Sequence, residues 1–354
     1  MDTETKDNRL DPYSVPDYGR YCLITWCLVT GIFSLFGNLA LLISSLVSVL
    51  KLDKVSVVLI QNLAVTGVGF TVFIILPTVG STVEQEWIYG RGLCVVTTYA
   101  LYILGFMSTY LIASLNISKL TVLLFPLRAR LRTKKCGAVI SATLWVIVII
   151  LIVTSNVVAS RDITFSPLVF ACTLDYRFIP PNLLEQATLY SNLLVPLGVI
   201  LATAIWLMLL IRSVRKLTRH IVLVLLAVSI AYILSYLPFI IFAVLRKQPM
   251  TVNNLRLYTV AAVATFISPF SNPIIFYFNI KSFKTYVDNK VLWVMGKHIE
   301  IRDRDVSGRY ASRNSTRIST VSMRSTRDSV VINPINVAAL QKNSTVVVND
   351  ARII

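Results

Sequence analysis

Long apolar runs, separated by short polar connections, dominate the chain from residue 21 to residue 279. A helix needs about 20 apolar residues to cross a hydrocarbon core about 30 Å thick. The runs do not alternate as the strands of a membrane β-barrel would, and backbone groups in lipid must be satisfied within their own segment. The pattern therefore predicts an all-α membrane protein with seven spans. We number these the first to seventh spans, at residues 21–50, 55–79, 94–124, 137–159, 187–212, 220–245 and 257–279.

Polar segments flank the predicted seven-helix bundle, which occupies residues 21–280. Residues 1–20 are short, acidic and proline-containing, and we expect them to be extracellular. Residues 281–297 repeat apolar side chains every four positions among lysines, which predicts an amphipathic helix on the inner leaflet. Residues 298–354 are polar and predict a disordered cytoplasmic tail.

The charge distribution predicts the orientation of the bundle. Charged residues are 14% of the 354 positions, against roughly 25% in soluble domains, which argues against an ordinary soluble enzyme. Three short loops hold 11 Lys and Arg, whereas the opposite loops hold 6. The first set is therefore cytoplasmic and the amino terminus lies outside, in a plasma-membrane protein. Most of the basic excess behind the chain's net charge of +17 then lies on the cytoplasmic side, where it faces the anionic lipids of the inner leaflet rather than nucleic acid.

The chemistry within the spans argues against transport and catalysis. No Asp or Glu falls within a predicted span, whereas pumps and ion-coupled transporters rely on intramembrane ionisable groups. A transporter or channel is therefore a less favoured alternative. The chain has 2 His and no Ser-His-acid or metal-ligand constellation in its spans, so we expect no enzyme activity, no metal and no cofactor. The pattern favours a bundle that binds a ligand and changes shape.

A series of sequence marks occurs in a fixed order along the spans and the outer loops. The marks are Gly37-Asn38, Asn62-Leu63-Ala64, Trp87, Cys94, Trp145, Cys172, Pro196, Pro238 and Asn272-Pro273-Ile274-Ile275-Phe276. Over residues 21–290 this series resembles the rhodopsin-like (class A) G-protein-coupled receptors. The resemblance implies an extracellular ligand, a heterotrimeric G protein as partner, and a disulfide between Cys94 and Cys172. It assigns activation and coupling roles to Asn38, Ser118, Lys119, Pro196, Tyr236, Pro238, Asn272, Pro273 and Phe276.

The chain departs from the family pattern at two sites of ion chemistry. Gly67 stands where the second helix usually has a sodium-binding Asp, so we expect no sodium sensitivity. The Asp-Arg-Tyr motif of the third helix reads Ser118-Lys119-Leu120, and Thr218 stands where relatives place an acid. We expect a weak or absent resting-state lock, with raised basal activity or poor coupling. In one alternative, Lys119 only extends to the interface; in another, the chain is a non-coupling, receptor-like interaction protein.

Two further departures concern hydroxyl groups. Tyr236 replaces the usual Trp of the sixth helix and brings a hydroxyl that needs a partner. Phe276 replaces the usual Tyr of the seventh-helix motif, and Ala204 stands where the fifth helix often has Tyr. These changes concern coupling rather than the fold.

The ligand is expected to be a peptide or a small uncharged molecule. Leu101 stands where amine receptors carry an Asp, and the seventh span has no Lys that could bind retinal. The outer helix ends offer a polar and aromatic pocket, although interfacial anchoring is the alternative. The candidate pocket residues are Thr98, Leu101, Tyr102, Gln186, Tyr190, Tyr236 and Tyr258.

Four basic-then-hydroxyl repeats in the tail suggest phosphorylation at Ser307, Ser312, Thr316 and Thr320. Phosphates here would reverse the local charge and recruit an arrestin-like partner. The alternative is a solvated tail rich in Ser and Arg.

Overall fold

Helices make up most of the chain that the structure describes. The structure is a computed structural model that describes residues 17–50, 52–125, 133–159, 162–167, 169–174, 183–210, 216–245 and 259–294. Five spans are continuous helices at Asp17–Leu46, Gly90–Leu124, Lys134–Ala159, Leu183–Leu210 and Lys216–Leu245.

The second and seventh spans are interrupted helices. The second consists of Lys54–Phe70 and Leu76–Glu84, joined by a π-helical turn at Thr71–Ile75. The seventh is helical at 259–264, turns, and continues as Ile267–Asn279. A shorter helix, Lys281–Val294, follows it.

The predicted all-α membrane fold is confirmed. In the described ranges, 6 helices are long and apolar enough to cross a membrane, and the fifth span contributes the shorter apolar helix Leu194–Leu210. Large apolar side chains such as Phe36, Leu209 and Leu234 are exposed on the bundle. A lipid-facing surface has this character, since hydrocarbon is as apolar as leucine.

The spans form a ring around the third. Neighbouring spans pack in the order first, second, fourth, fifth, sixth and seventh, and the seventh returns to the first. The third packs against the second, fourth, fifth and sixth. Gly37 lies where the first span approaches the seventh closely. A Cβ at this position would lie 2.7 Å from the ring of Pro273, so a larger residue would not fit. The Pro273 ring of the seventh span therefore packs directly against the backbone of the first span.

Two observed helices extend past their apolar runs. The second span continues to Glu84, where Gln85 adopts a left-handed conformation with φ of 62°. The third begins at Gly90, whose φ of 75° suits glycine. Both extensions are polar, so hydropathy did not include them.

A β-hairpin follows the fourth span and was not predicted. Ile163–Ser166 pairs antiparallel with Ala171–Leu174, and Phe165 lies opposite Cys172. Each strand has 4 residues, which is too short for a clear alternation pattern.

The helix Lys281–Val294 lies within the predicted amphipathic segment. Phe283 is 1% exposed and joins the core of the bundle, whereas Val291 is exposed. The Tyr277 hydroxyl donates to Asp288 Oδ1 at 2.7 Å, which links this helix to the seventh span. Its apolar residues therefore divide between the bundle and the outer surface.

Candidate ligand-binding site

A pocket opens between the second, third, sixth and seventh spans and the β-hairpin. It encloses about 850 Å³ of space, part of which is open to solvent. A concave, largely apolar cleft of this kind suits a small molecule or a side chain of a peptide. Its lining residues are Phe70, Ile74, Leu101, Tyr102, Gly105, Phe106, Val169, Ala171, Thr173, Tyr236, Phe239, Ala262, Val263, Thr265 and Phe266.

The lining is apolar with a few hydroxyl groups. Every lining residue in the described part of the chain is uncharged. The Tyr102 hydroxyl lies 3.3 Å from Thr173 Oγ1, so these two groups join the third span to the hairpin. Burying an unpaired charge against such a lining would be costly. This part of the pocket therefore suits an uncharged group.

The disulfide between Cys94 and Cys172 is present, as expected. The Cα atoms are 5.3 Å apart, and Cys172 lies in the second strand of the hairpin. Ala171 and Thr173, on either side of Cys172, both line the pocket. The disulfide thus holds one wall of the pocket on the third span. Cys22, Cys27 and Cys136 are free thiols, also as expected.

The structure brings only some of the predicted pocket residues to this cavity. Leu101, Tyr102 and Tyr236 line it. Thr98 is fully buried beside the disulfide, and its hydroxyl donates to Cys94 O at 2.9 Å rather than facing the cavity. Gln186 and Tyr190 belong to the fifth-span helix, but their side chains lie outside the described residues, as does all of Tyr258.

Most of the aromatic lining of the pocket could not be predicted from the sequence. Phe70, Phe106, Phe239 and Phe266 face the cavity, yet in sequence they resemble side chains that face lipid. These residues are distinguished by the face of each helix that points toward the third span, and a single sequence does not reveal which face that is. The hairpin residues were missed because the hairpin itself was not predicted.

Asn38 fills the space beside Gly67, where the family pattern has an acid. Its Nδ2 donates to the backbone oxygens of Ser34 and Pro269, at 2.8 Å each. A Cβ on Gly67 would lie 2.5 Å from the Asn38 carboxamide. Ser108 donates to the Thr66 hydroxyl at 3.1 Å. The first, second and seventh spans therefore meet through neutral groups.

These groups offer a sodium ion no carboxylate, so the expected lack of sodium sensitivity stays a prediction. The described residues contain no group of three His, Cys, Asp or Glu placed to hold a metal. A hard cation needs several oxygen ligands and gains most from a carboxylate. Here the side-chain nitrogen of Asn38 already donates to two backbone carbonyls, one in the first span and one in the seventh.

Replacing sodium chloride with potassium chloride should leave thermal stability unchanged. The comparison uses the purified chain in lipid nanodiscs at equal ionic strength. We expect the two melting temperatures to agree within about 1 °C, since binding to the native state alone would raise the melting temperature with ligand concentration. Asn38→Ala serves as the control. A rise specific to sodium that disappears in this variant would contradict the prediction.

Lys119 is paired with an acid that sequence analysis did not consider. Its Nζ lies 3.2 Å from Asp53 Oδ1, at the start of the second span. Only 5% of Lys119 is exposed, so the structure favours pairing over the alternative in which it extends to the interface. Burial alone would raise the pKa of the Asp53 carboxyl, but Lys119 and hydrogen bonds from Ser56 hold that pKa below its ordinary value.

Most of the other predicted coupling residues are buried in the bundle, whereas Pro238 is exposed on its surface. Ser118 is buried, and Phe276 is 1% exposed beside the buried Asn272 and Pro273. Pro196 and Pro238 are internal to the fifth- and sixth-span helices. Ser307, Ser312, Thr316 and Thr320 lie outside the described residues.

The sequence and the fold are similar to known proteins. The family described as "7 transmembrane receptor (rhodopsin family)" matches residues 37–276. Type-1 angiotensin II receptor of Cavia porcellus is 26% identical over 122 residues, which cover 33% of this chain and 34% of the relative. C-C chemokine receptor type 8 of Mus musculus is 27% identical over 126 residues, 35% of each chain. The match to these curated relatives thus spans about a third of their length.

The fold agrees over a longer range than the sequence. The crystal structure of squid rhodopsin matches with a TM-score of 0.66 at 16% identity, covering 90% of this chain and 91% of that one. This match supports the seven-helix architecture.

Proposed function

Because the chain belongs to the rhodopsin family of seven-transmembrane receptors, we propose that it binds an extracellular ligand and signals to a heterotrimeric G protein. The observation that carries this proposal is the pocket, whose wall of hairpin residues is attached to the third span by a disulfide. The pocket reaches Tyr236, two residues before Pro238 of the sixth span. A ligand in the pocket therefore contacts a helix that can bend.

We propose that the ligand is a peptide or a small uncharged molecule. Leu101 lines the pocket and offers no counter-ion to an amine. The two curated relatives are named as receptors for angiotensin II and for C-C chemokines, which agrees with a peptide ligand. An apolar or aromatic side chain of such a peptide would suit the uncharged lining.

We propose that the chain lies in the plasma membrane with its amino terminus outside. The excess of Lys and Arg in three of the loops supports this orientation. The lysines of Lys281–Val294 would then face anionic lipid headgroups. Phosphorylation of the tail hydroxyls would recruit an arrestin-like protein, as their spacing after arginines suggests.

A nucleotide-exchange assay tests the proposed function. The purified chain in nanodiscs is mixed with a panel of G proteins and labelled GTP analogue, with and without fractions of tissue extract. At least one G protein should exchange nucleotide faster in the presence of the chain. An unchanged rate across the panel and all fractions would contradict coupling and favour the non-coupling alternative.

Gly105→Leu should weaken the response to an active extract fraction. Gly105 lines the pocket, and a Cβ there would already lie 3.4 Å from the Tyr236 hydroxyl, so a leucine would occupy ligand space. We expect at least about a tenfold loss of potency, which corresponds to about 1.4 kcal/mol. The measurement is the concentration of fraction that gives half-maximal exchange.

Gly198→Leu is the matched control. Gly198 lies on the exposed surface of the fifth span, and a Cβ there would have no neighbour within 4 Å. Equal potency losses in both variants would show that the effect does not come from the pocket.

A further inference from the structure

Two of the helices that line the pocket depart from regular α-helical turns at the pocket wall. In the second span this is the π-helical turn Thr71–Ile75, and the lining residues Phe70 and Ile74 lie just before it and within it. In the seventh span the helix is interrupted at Thr265 and Phe266, which both line the pocket. The Phe70 and Phe266 rings are in contact, with centroids 5.7 Å apart. The two irregular turns therefore lie beside each other in the pocket wall.

A proline follows each turn and accounts for its irregular hydrogen bonding. Pro77 has no N–H, and the N–H of Leu76 just before it donates to Thr71 O, five residues back. Pro269 likewise offers no N–H to the carbonyl of Thr265, which instead accepts from the backbone nitrogen three residues on, at 3.2 Å. Irregular backbone at membrane depth is tolerated only where protein buries it or where it lines a cavity. Both turns therefore depend on what packs behind them.

The first span lies behind the second-span turn and holds it with a hydroxyl group. Ser34 and Thr71 are both fully buried, and Thr71 Oγ1 donates to Ser34 Oγ at 2.8 Å. Ser34 Oγ in turn donates to Gly67 O at 3.3 Å. A Cβ on Gly31, three residues before Ser34, would lie 3.1 Å from Ile75 Cγ2, so the two spans are closely packed here. Both ends of the π-helical turn thus contact the first span.

The first span also holds the seventh-span turn, through Trp26. Trp26 Nε1 donates to Val263 O at 3.4 Å, and its ring packs edge-on against Phe270, with centroids 6.2 Å apart. Val263 O accepts a second hydrogen bond from Phe266 N, within the turn, at 3.1 Å. No residue of Asp17–Leu46 is among the described residues that line the pocket. The first span therefore supports the pocket wall from outside the pocket.

We propose that Trp26 and Ser34 are positioning residues of the pocket: they hold its two irregular turns in place and so determine which ligands fit, without contacting a ligand themselves. The two residues are eight positions apart and belong to one face of the first span. Loss of either hydrogen bond would let one turn move while the rest of the bundle stays folded. The inference rests on the proposed function only in taking the pocket as the ligand site.

Two substitutions remove one hydrogen bond each and leave the packing largely unchanged. Trp26→Phe keeps an aromatic ring in place and removes the N–H donor. Ser34→Ala removes the hydroxyl of the first span and leaves Thr71 Oγ1 its bond to Gly67 O at 3.0 Å. Ser44→Ala is the matched control, because Ser44 is fully buried in the same helix and donates to a carbonyl of that helix at 2.9 Å.

Thr71 supplies a second pair of variants, which separates the hydroxyl from the shape of the side chain. Thr71→Val keeps the branched shape and loses the hydroxyl that donates to Ser34, so it should behave like Ser34→Ala. Thr71→Ser keeps that hydroxyl and should behave like the parent.

The readout is the size selectivity of the pocket, which requires neither ligand nor G protein. The parent carries the reporter Leu101→Cys, at a third-span position that lines the pocket, with Cys22→Ser and Cys136→Ser to remove the exposed thiols. In nanodiscs, the labelling rates of two uncharged methanethiosulfonate reagents are compared, one with a hydroxyethyl group and one with a benzyl group. Cys27 is 1% exposed and stays unlabelled in a folded bundle, so a single adduct by mass spectrometry also checks the fold.

Trp26→Phe and Ser34→Ala should each raise the ratio of the benzyl rate to the hydroxyethyl rate about three- to tenfold, as expected for one interhelical hydrogen bond in a membrane. A turn that moves more freely admits the larger reagent more often, whereas the smaller reagent gains little. Ser44→Ala should keep the parental ratio.

A parental ratio in both test variants would overturn the inference, and so would a rise of both rates by the same factor, which indicates general loosening. A change in only one variant would overturn the role of the other residue. An equal change in Ser44→Ala would overturn both roles, because the loss of any buried hydroxyl of the first span would then suffice.

The proposed function fails or holds separately. A raised ratio in both test variants, without nucleotide exchange by the parent, would support the positioning roles and contradict G-protein coupling. Nucleotide exchange by the parent, with a ratio that neither substitution changes, would support the proposed function and overturn the positioning roles.

Discussion

Combined Cys94→Ser and Cys172→Ser substitution should lower the free energy of unfolding by about 4 kcal/mol, because the disulfide closes a loop with a sequence separation of 78. The same change should abolish the response to an active ligand fraction. Ala171 and Thr173 line the pocket next to Cys172, and without the disulfide the hairpin loses its covalent attachment to the third span. Thermal unfolding in nanodiscs and the nucleotide-exchange assay measure the two effects.

The free cysteines provide the controls for this experiment. Cys22→Ser and Cys136→Ser alter exposed thiols and should leave both measurements near those of the parent. Changing both disulfide partners together avoids a new free thiol and the mispairing that it permits. If the double variant keeps the parental melting temperature and potency, the hairpin is held by its hydrogen bonds and packing rather than by the disulfide.

Asp53→Ala should destabilise the protein by about 3–5 kcal/mol, the range found when one partner of a buried ion pair is removed. Lys119 is 5% exposed and would be left as an uncompensated charge inside the bundle. Asp53 also caps the second span, since its carboxylate accepts from Ser56 N at 3.0 Å, and the loss of such a cap costs about 1 kcal/mol.

Two companion variants separate the charge from the cap. Asp53→Asn retains a good capping residue but loses the charge, so it should recover only the capping part of the stability. Lys119→Met removes the buried charge and should be nearly neutral, because the Asp53 side chain is 26% exposed and can be hydrated. The expected order of stability is therefore Lys119→Met, then Asp53→Asn, then Asp53→Ala.

Cys27 offers a direct measurement of this order. It is 1% exposed, so a thiol-reactive dye reaches it only on unfolding. The assay uses a background with Cys22→Ser and Cys136→Ser, which removes the exposed thiols. Lys119→Met is expected to destabilise the protein less than Asp53→Ala, because only Asp53→Ala leaves a buried charge unpaired. Equal destabilisation by the two variants would contradict this expectation and would indicate that the two side chains act mainly through packing.

The Asp53 pair also has a defined dependence on pH. Because the pKa of Asp53 is lowered in the folded state, the pair contributes fully above the ordinary aspartate pKa of about 3.9. Its contribution is lost as the pH falls through the lowered pKa, where Asp53 takes up a proton. Asp53→Asn lacks this carboxyl and should not show that part of the acid sensitivity.

The bundle could be predicted from the sequence because the length of an apolar run depends only on consecutive residues. Each span is a continuous apolar run, and lipid leaves a backbone of that length no alternative to a helix. The pairing of Cys94 with Cys172 was predicted through the family resemblance, and it is present in the structure. Raised basal activity or poor coupling remains a prediction.

The partner of Lys119 could not be predicted from the sequence. Ser118 and Thr218 were considered because of their places in the family pattern, whereas the actual partner, Asp53, is 66 positions earlier. The space beside Gly67 poses the same difficulty, since only the packing of the first span shows that Asn38 fills it. Likewise, nothing in the sequence predicts that the Tyr232 hydroxyl is hydrogen-bonded to Thr109 of the third span.

The sequence by itself determined the seven spans, the excess of basic residues on one side of them, and the absence of acids within their predicted apolar runs, because each follows from the composition of a continuous segment. The tertiary structure decided which side chains face one another: the apolar pocket under the hairpin, the Lys119–Asp53 pair, and the polar contacts between the third and sixth spans. The physical reason is that helix packing depends on rotation and close approach between distant segments, and an apolar residue facing lipid has the same sequence signature as one facing the core.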